Sequence, residues 1–324
     1  MSSLPVELER LIFEIVASQE TDHNSRVRLL LVAKRVYEWY VIHHTHILIN
    51  NYLSLRIRPI LYRVVVIVNR PYGPRNTPGT LTISNRWPNV QPALNSAQFV
   101  RHFLTTTPNH SHLLQMLSTF PNIENLAVWS PACFIPAFVK KMNDLPLRML
   151  SVDKAAITDN CPAFKYLTHL ETFDLHASGS TWDDDFKGIL VGLPKLTHLC
   201  FDHSLDVKDA VLLHLLKHCA SLRVLILLTI AGGGGVHRTS KSDDPRCLIL
   251  LDRMDTNSLM DEWERSANRF IGRWEVAELI IEARENDLFQ DKFSFVFSRR
   301  NWKDRLNDDG IRWYEKRSRG LRWC

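Results

Sequence analysis

The sequence lacks the features that mark several large classes of protein. Its six cysteines are spread singly along 324 residues, without CxxC spacing, which argues against a disulfide scaffold or a zinc ribbon. No charged segment followed by an apolar one opens the chain, and the stretch 47–68 is interrupted by asparagines and arginines. We therefore expect reduced thiols, no membrane partner, and a location in the cytoplasm or the nucleus.

Motifs for catalysis and cofactor binding are also missing. The glycine run 232–235 lacks the Lys-Ser/Thr pair of a phosphate loop, so we interpret it as a flexible connector. His214 and His218 stand four residues apart, but Leu215 occupies the position where a zinc protease has its glutamate. No nucleophile, base and orienting group stand at a spacing that predicts a site. We expect no enzyme activity, no metal and no other cofactor.

Positive charge is concentrated in the last segment of the chain. The formal net charge is +5, and the segment 299–324 has nine Lys or Arg against four Asp or Glu, a difference of +5. Its aromatic residues could stack on nucleic acid, but we favour a helix that caps the end of a repeat array. Nucleic acid is therefore not the partner that we expect.

A spaced repeat dominates the middle of the chain. The frame apolar-x-x-apolar-x-apolar begins five times, at spacings of 24, 23, 26 and 26 residues. That period is typical of a leucine-rich solenoid. The five frames are Ile123/Leu126/Val128, Leu147/Leu150/Val152, Leu170/Phe173/Leu175, Leu196/Leu199/Phe201 and Leu222/Leu225/Leu227.

The repeat predicts an α/β fold in which stacked parallel strands form one sheet. Side chains alternate along a strand, so the fourth and sixth frame positions point into a common core. The segments between strands carry apolar residues at helical spacing and predict helices on the outer, convex side. No unit buries its apolar face alone, so neighbouring units must cover each other.

The remaining strand positions are expected to line a concave groove that binds a target protein. Solenoids present this face to their partners. The side chains there are mixed in charge and do not specify the ligand, and Thr172 is among them. The candidate target-binding residues are Glu124, Arg148, Glu171, Asp174, His198 and Arg223.

The amino terminus predicts a small helical head. Pro5 is placed to begin a helix over residues 4–16, where its missing N–H costs nothing. Apolar residues follow the i, i+3, i+4, i+7 stripe of an amphipathic helix, and a second stretch, 26–40, is apolar around most of its circumference. A head with that much apolar surface requires a partner.

These residues resemble an F-box, the helical module that docks on the Skp adaptor of cullin-based ubiquitin ligases. The matching elements are Leu4-Pro5, Glu7-Leu8, Ile12-Phe13 and Val32-Ala33-Lys34-Arg35, while Val36 stands where the family has an aromatic residue. The repeats likewise resemble degenerate leucine-rich repeats. The chain further looks like the F-box-like proteins of mushroom-forming fungi, through 61–67, Asp244-Pro245-Arg246 and Trp263-Glu264. The resemblance implies adaptor contacts by Leu4, Pro5, Leu8, Ile12, Phe13 and Val32.

The expected organisation has six segments. The segment 41–58 interrupts the family pattern, and we interpret it as an intron retained in the gene model; spliced transcripts that contain it would rule this out. The segments are an F-box-like motif (1–40), the doubtful insertion (41–58), a leucine-rich-repeat-like solenoid (59–230), a Gly-rich polar loop (231–243), a C-terminal strand and helix cap (244–298) and a basic aromatic tail (299–324).

The resemblance implies a substrate-recognition subunit of an SCF-type ubiquitin ligase, which holds the Skp adaptor by its head and an unknown target protein by its repeats. Tethering would raise the effective concentration of target lysines near the ubiquitin-loaded enzyme. Two alternatives remain open. The first is a leucine-rich scaffold without a ligase role, and the second is a nucleic-acid-associated protein that acts through its basic tail.

Overall fold

The structure is a computed structural model of the chain, built on one parallel sheet. The predicted head (1–40), the doubtful insertion (41–58) and the Gly-rich loop (231–243) lie outside the described residues. The described residues are 63–68, 80–84, 97–158, 161–173, 184–202, 207–230, 244–252, 256–268, 271–291, 296–298 and 301–318.

Ten strands of the described chain form the sheet, and all nine pairings between these neighbours are parallel. From β3 to β10 the strands follow one another in chain order, as in a solenoid, whereas β1 lies between β3 and the edge strand β2. The strands are β1 Val64–Val68, β2 Thr80–Ser84, β3 His102–Thr105, β4 Asn125–Val128, β5 Met149–Asp153, β6 His169–Phe173, β7 His198–Phe201, β8 Val224–Ile230, β9 Cys247–Asp252 and β10 Val296–Ser298.

Seven helices are described. Four of them lie between consecutive strands of the repeat array: α1 His110–Thr119, α2 Pro136–Met142, α3 Asp184–Val191 and α4 Asp209–His218. The next two, α5 Thr256–Ala267 and α6 Arg273–Glu285, lie between β9 and β10. The last, α7 Asp308–Ser318, follows β10. Short 3-10 turns at Pro131–Phe134, Lys154–Ala156 and Pro162–Tyr166 complete the loops after β4 and β5.

The first core lies between the sheet and helices α1–α4. It contains the frame positions of β4, β5, β7 and β8 together with the apolar stripes of the helices, such as Leu113 and Leu117 on α1 and Leu212 and Leu215 on α4. The strand register brings Leu126, Leu150, Leu199 and Leu225 into one row. The predictions of a mixed α/β fold and of a parallel sheet with helices between its strands are confirmed, whereas the expectation that helices lie only on the outer side is not met, because two later helices pack on the opposite face.

The third frame was predicted in the wrong register. β6 pairs Leu170 with Leu150 and with Leu199, so the unit is Leu167/Leu170/Thr172, three residues before the predicted one. The frame starts become 123, 147, 167, 196 and 222, with spacings of 24, 20, 29 and 26 residues. Because an odd shift exchanges the faces of a strand, Thr172 points into the first core and not into the predicted groove.

The other face of the sheet, which we call the groove face, is covered by the C-terminal helices. Met260, Trp263 and Ala267 of α5 pack on Val66 and Leu104 near one end of the sheet. α6 packs on Ile226 and neighbouring apolar residues of β7–β9 near the other end. The prediction of an open groove is therefore wrong for the part of the face under α5 and α6.

The basic tail folds against α6. Trp302 is fully buried and packs edge-on to Tyr314, with the ring centroids 5.4 Å apart. The Trp313 indole N–H donates to Glu282 Oε1 on α6 at 3.3 Å. The residues 301–318 thus form a packed layer over α6, as expected for a capping segment, and residues 319–324 lie outside the described chain.

The strand β9 begins at a polar anchor. Arg246 pairs with Asp244 at 2.6 Å and donates from Nη2 to the Leu216 carbonyl at 2.8 Å and from Nη1 to the Leu222 carbonyl at 3.1 Å. Those carbonyls belong to the last turn of α4 and the loop before β8. The Asp244-Pro245-Arg246 segment therefore fixes where the ninth strand joins the sheet.

The cysteines among the described residues are buried. Cys133, Cys161, Cys200, Cys219 and Cys247 are free and buried, and Cys324 lies outside the described residues. Burial raises the pKa of Cys133 and Cys247 to about 12. None of the helices in the described ranges has the length and apolar character needed to cross a bilayer.

Candidate functional site

A cleft lies on the groove face between the sheet and the pair of helices α5 and α6. Its empty volume is about 420 Å³, including the part open to solvent. The sheet contributes Asn125, Met149, Leu150, Ser151, His169 and Glu171. The helices contribute Glu262, Trp263 and Ser266 from α5 and Arg273 and Trp274 from α6.

The floor of the cleft holds a buried ion cluster. Arg273 donates from Nε to Glu262 Oε1 at 2.9 Å and from Nη2 to Glu262 Oε2 at 3.1 Å. Its Nη1 donates to Glu171 Oε1 on β6. Burial alone would lower the pKa of Arg273, but the charges of Glu171 and Glu262 raise it above the ordinary value. The guanidinium thus stays charged and links both helices to the sheet.

The amino end of α6 is satisfied by two further acceptor contacts. The backbone N–H of Arg273 donates to Glu262 Oε1 at 2.9 Å, and that of Gly272 donates to Glu275 Oε2 at 2.9 Å. Carboxylates at this position compensate the positive end of the helix dipole. Glu262 therefore accepts hydrogen bonds from both the guanidinium of Arg273 and the backbone at the amino end of α6.

Two stacked histidines form the neighbouring wall. The His169 and His198 rings lie 4.1 Å apart at 9°, and Trp274 meets both edge-on at 5.4 and 5.6 Å. His198 Nε2 lies 3.3 Å from Glu278 Oε1, which also lies 3.5 Å from Arg223 Nη2. Burial and the nearby His198 lower the pKa of His169 to about 3, so this ring is neutral at physiological pH.

The predicted target-binding residues fall into two groups. Glu171 and His198 are buried, at 8% and 5% exposure, under α6 and α5. Glu124 lies 3.4 Å from Arg101 and is partly exposed, whereas the Arg148 and Arg223 side chains are exposed. The exposed group precedes strands β4, β5 and β8 and forms a rim beside the cleft. Asp174 lies outside the described residues.

The residues predicted to hold the Skp adaptor all lie outside the described chain. They are Leu4, Pro5, Leu8, Ile12, Phe13 and Val32. Their role stays a prediction from the sequence.

Potential metal ligands are dispersed in the part of the chain that the structure describes. Within the described ranges, no group of three or more His, Cys, Asp or Glu side chains is placed to hold an ion. His214 and His218 stack on α4 at 4.2 Å between ring centroids, and His218 Nδ1 lies 2.8 Å from the carbonyl oxygen of His214. These two side chains alone do not make a site.

Sequence reasoning missed the helical side of the cleft. Glu262, Arg273 and Trp274 lie about 100 residues after their partners on the sheet, and Arg273 lies 102 residues after Glu171. The available signal was a pair of charged helices placed after an apolar strand, with tryptophan in each. That pattern predicts helices but does not indicate which face of the sheet they cover.

Comparison with known proteins leaves the chain unassigned to a family. No protein-family model matches the sequence. A search of curated proteins gives no significant match.

Proposed function

We propose that the chain is the target-recognition subunit of a cullin ubiquitin ligase that uses a Skp-type adaptor. The adaptor is held by the F-box-like head, through Leu4, Pro5, Leu8, Ile12, Phe13 and Val32. The ligase role rests on the F-box-like pattern of residues 4–40, and the chain itself catalyses no reaction.

The observation that supports this proposal is the length and continuity of the parallel sheet. From β3 to β10 the strands follow one another in chain order on one continuous core, which makes a rigid support for a target surface. A target on such a support that is tethered to the ligase would present its lysines at a raised effective concentration. These properties support a receptor and a scaffold alike, and the head pattern favours the receptor.

The covered groove face favours a different place for target binding than an open groove. Because α5 and α6 cover the groove face, the accessible surface is the rim with Arg148 and Arg223 and the mouth of the cleft beside it. We therefore place target contact at this rim and not along an open groove.

Co-purification with the Skp adaptor of the same cell tests the proposal. We expect the wild-type chain to retain the adaptor and Pro5→Ala/Ile12→Asp to lose it, because the double change disrupts the helix start and its apolar stripe. Leu213→Asp is the matched control, since Leu213 is an exposed apolar residue of α4, 54% accessible. A folded wild-type chain that fails to retain the adaptor would overturn the proposal and leave the scaffold alternative.

The nucleic-acid alternative receives less support from the packing of the tail. Base stacking requires accessible aromatic faces. Trp302 is fully buried, and Trp313 and Tyr314 pack against the core around α6. Salt-dependent nucleic-acid binding that disappears on deletion of 299–324 would be needed to restore this alternative.

A further inference from the structure

The groove face changes from apolar to polar in its middle. Along the central row of the sheet, Leu104 and Ile226 lie in apolar clusters, whereas Ser151 and Glu171 between them are polar. Trp263 covers one side of this polar gap and Trp274 the other. The cleft therefore reaches polar groups of the sheet between two indole walls.

The described hydrogen bonds on the cleft floor leave one carboxylate oxygen, Glu171 Oε2, without a donor. Both oxygens of Glu262 bond to Arg273, and one of them also accepts the backbone N–H of Arg273. Glu171 offers only Oε1 to Arg273, and in the part of the chain that the structure describes no donor is bonded to Oε2. Glu171 lines the cleft and 11% of its side chain stays accessible, so a donor from a ligand can reach this oxygen and form a charge-assisted hydrogen bond with it.

The charges and walls of the cleft favour a cation over an anion. Two carboxylates face one guanidinium, and the positive end of α6 is already compensated by Glu262 and Glu275. An incoming anion would be repelled by Glu171, and the cation among the described residues that line the cleft, Arg273, is already paired with both carboxylates. Indole walls attract cations and also cover the apolar stem of a long side chain.

We infer that the cleft binds an ammonium or guanidinium group presented by a Lys or Arg side chain of a partner polypeptide. The charged group contacts Glu171 Oε2, and the aliphatic stem lies between Trp263 and Trp274. Ser151 and Asn125, which line the same cleft, are additional polar contacts for the partner. This site does not depend on the ligase role, because the chain alone would bind the side chain.

Titration calorimetry with short capped peptides tests the site on the full chain. The probes are pentapeptides of glycine with a central Lys, Arg, norleucine or Glu, added to about 10 mM because single-side-chain sites bind weakly. Norleucine is the matched probe, since it has the lysine stem without the charge. We expect the Lys or Arg peptide to bind at least tenfold more tightly than the norleucine peptide, and the Glu peptide not to bind.

Two variants connect binding to the cleft. Glu171→Gln removes the charge and should lower the affinity for the Lys peptide at least tenfold. Because this change also alters a buried ion pair, Ser266→Lys provides a second test that leaves Glu171 and Arg273 in place: its ammonium would compete for the cleft. Ser118→Lys on the exposed side of α1 adds the same charge elsewhere and should not change binding.

The outcomes separate the possible sources of the cation. Selective binding of Lys or Arg peptides that is lost in Ser266→Lys and kept in Ser118→Lys would support the inference. Equal affinity for n-butylammonium and the Lys peptide would support the cation site but overturn a polypeptide as its source. Absence of binding to a folded chain, or equal affinity for the norleucine peptide, would overturn the site itself. Adaptor co-purification is measured separately, so failure of one proposal does not imply failure of the other.

Discussion

Arg273 is the residue that joins α5, α6 and the sheet through charge. Its partners, Glu171 and Glu262, are both buried, and its own exposure is 5%. A buried pair of this kind contributes little net stability compared with an apolar replacement of all partners, but removal of one partner leaves buried charges without compensation. The cluster therefore makes the position of the helices specific.

We predict that Arg273→Met lowers the free energy of unfolding by about 3–5 kcal/mol, because Glu171 and Glu262 are left as uncompensated buried charges. Urea denaturation measures the change. Arg312→Met is the matched control, because the Arg312–Asp309 pair is solvent-exposed and should cost less than about 1 kcal/mol. Equal unfolding midpoints for the two variants would contradict a structural role of the cluster.

A second residue-scale prediction concerns His169, whose pKa in the folded chain is about 3. Between the ordinary histidine pKa of about 6.5 and that value, the unfolded chain binds a proton that the folded chain does not, so stability falls as the pH falls. From pH 7 to pH 5 we expect a loss of about 1–2 kcal/mol from this group.

The measurement is urea denaturation at several pH values between 7 and 5, a window above the ordinary pKa of the carboxylates. His169→Phe keeps an aromatic ring beside His198 and Trp274 but does not titrate, so its pH dependence should be flatter. Parallel slopes for the wild-type chain and His169→Phe would refute the assignment to His169.

At the scale of the element, β4, β5, β7 and β8 could be predicted in their register because their frames are unambiguous, whereas β1–β3 lie before the first frame. In the third unit, two frames overlap: Leu167/Leu170/Thr172 and Leu170/Phe173/Leu175. The fully apolar frame is the better local match, yet the strand takes the other because its hydrogen bonds are shared with β5 and β7. Register is thus a property of neighbouring strands, which a single segment does not contain.

The corrected register predicts the effect of a conservative change at Thr172. Its hydroxyl has no bonding partner among the residues described, and the side chain is fully buried in the row of Val128, Val152 and Phe201. Thr172→Val should therefore raise the free energy of unfolding by about 1 kcal/mol, because an unsatisfied buried hydroxyl is replaced by a methyl group.

Thr197→Val provides the contrast in the same experiment. The Thr197 hydroxyl donates to the carbonyl oxygen of Thr168 at 3.0 Å. Removal of this hydroxyl should therefore lower the free energy of unfolding by about 1 kcal/mol. If the register is right, thermal or urea denaturation shows changes of opposite sign in the free energy of unfolding of the two variants. Destabilisation by Thr172→Val would indicate that this side chain faces the groove, as the uncorrected frame predicts.

The whole molecule differs from an open solenoid because its own C-terminal helices cover the groove face. The sequence predicted a strand and helices after residue 244, and it predicted a capping tail, but it did not predict their position. The reason is physical: apolar residues on the groove face, such as Val66, Leu104 and Ile226, also occur on exposed sheets, and their cover lies far along the chain. Charge pairing between Glu171 and Arg273 contributes to that placement.

A shortened chain tests this dependence at the scale of the whole molecule. We predict that the chain 1–252, which lacks α5, α6 and the tail, aggregates or binds a hydrophobic dye, because the groove face then exposes a contiguous apolar surface. Co-expression of the segment 253–324 should restore a monomeric, dye-free complex, since the cover is held by packing and ion pairs. Size-exclusion chromatography and dye fluorescence measure both states against the full chain. A truncated chain that is monomeric, unfolds cooperatively and binds no dye would show that the groove face needs no cover, and it would return the open groove to consideration as the target-binding surface.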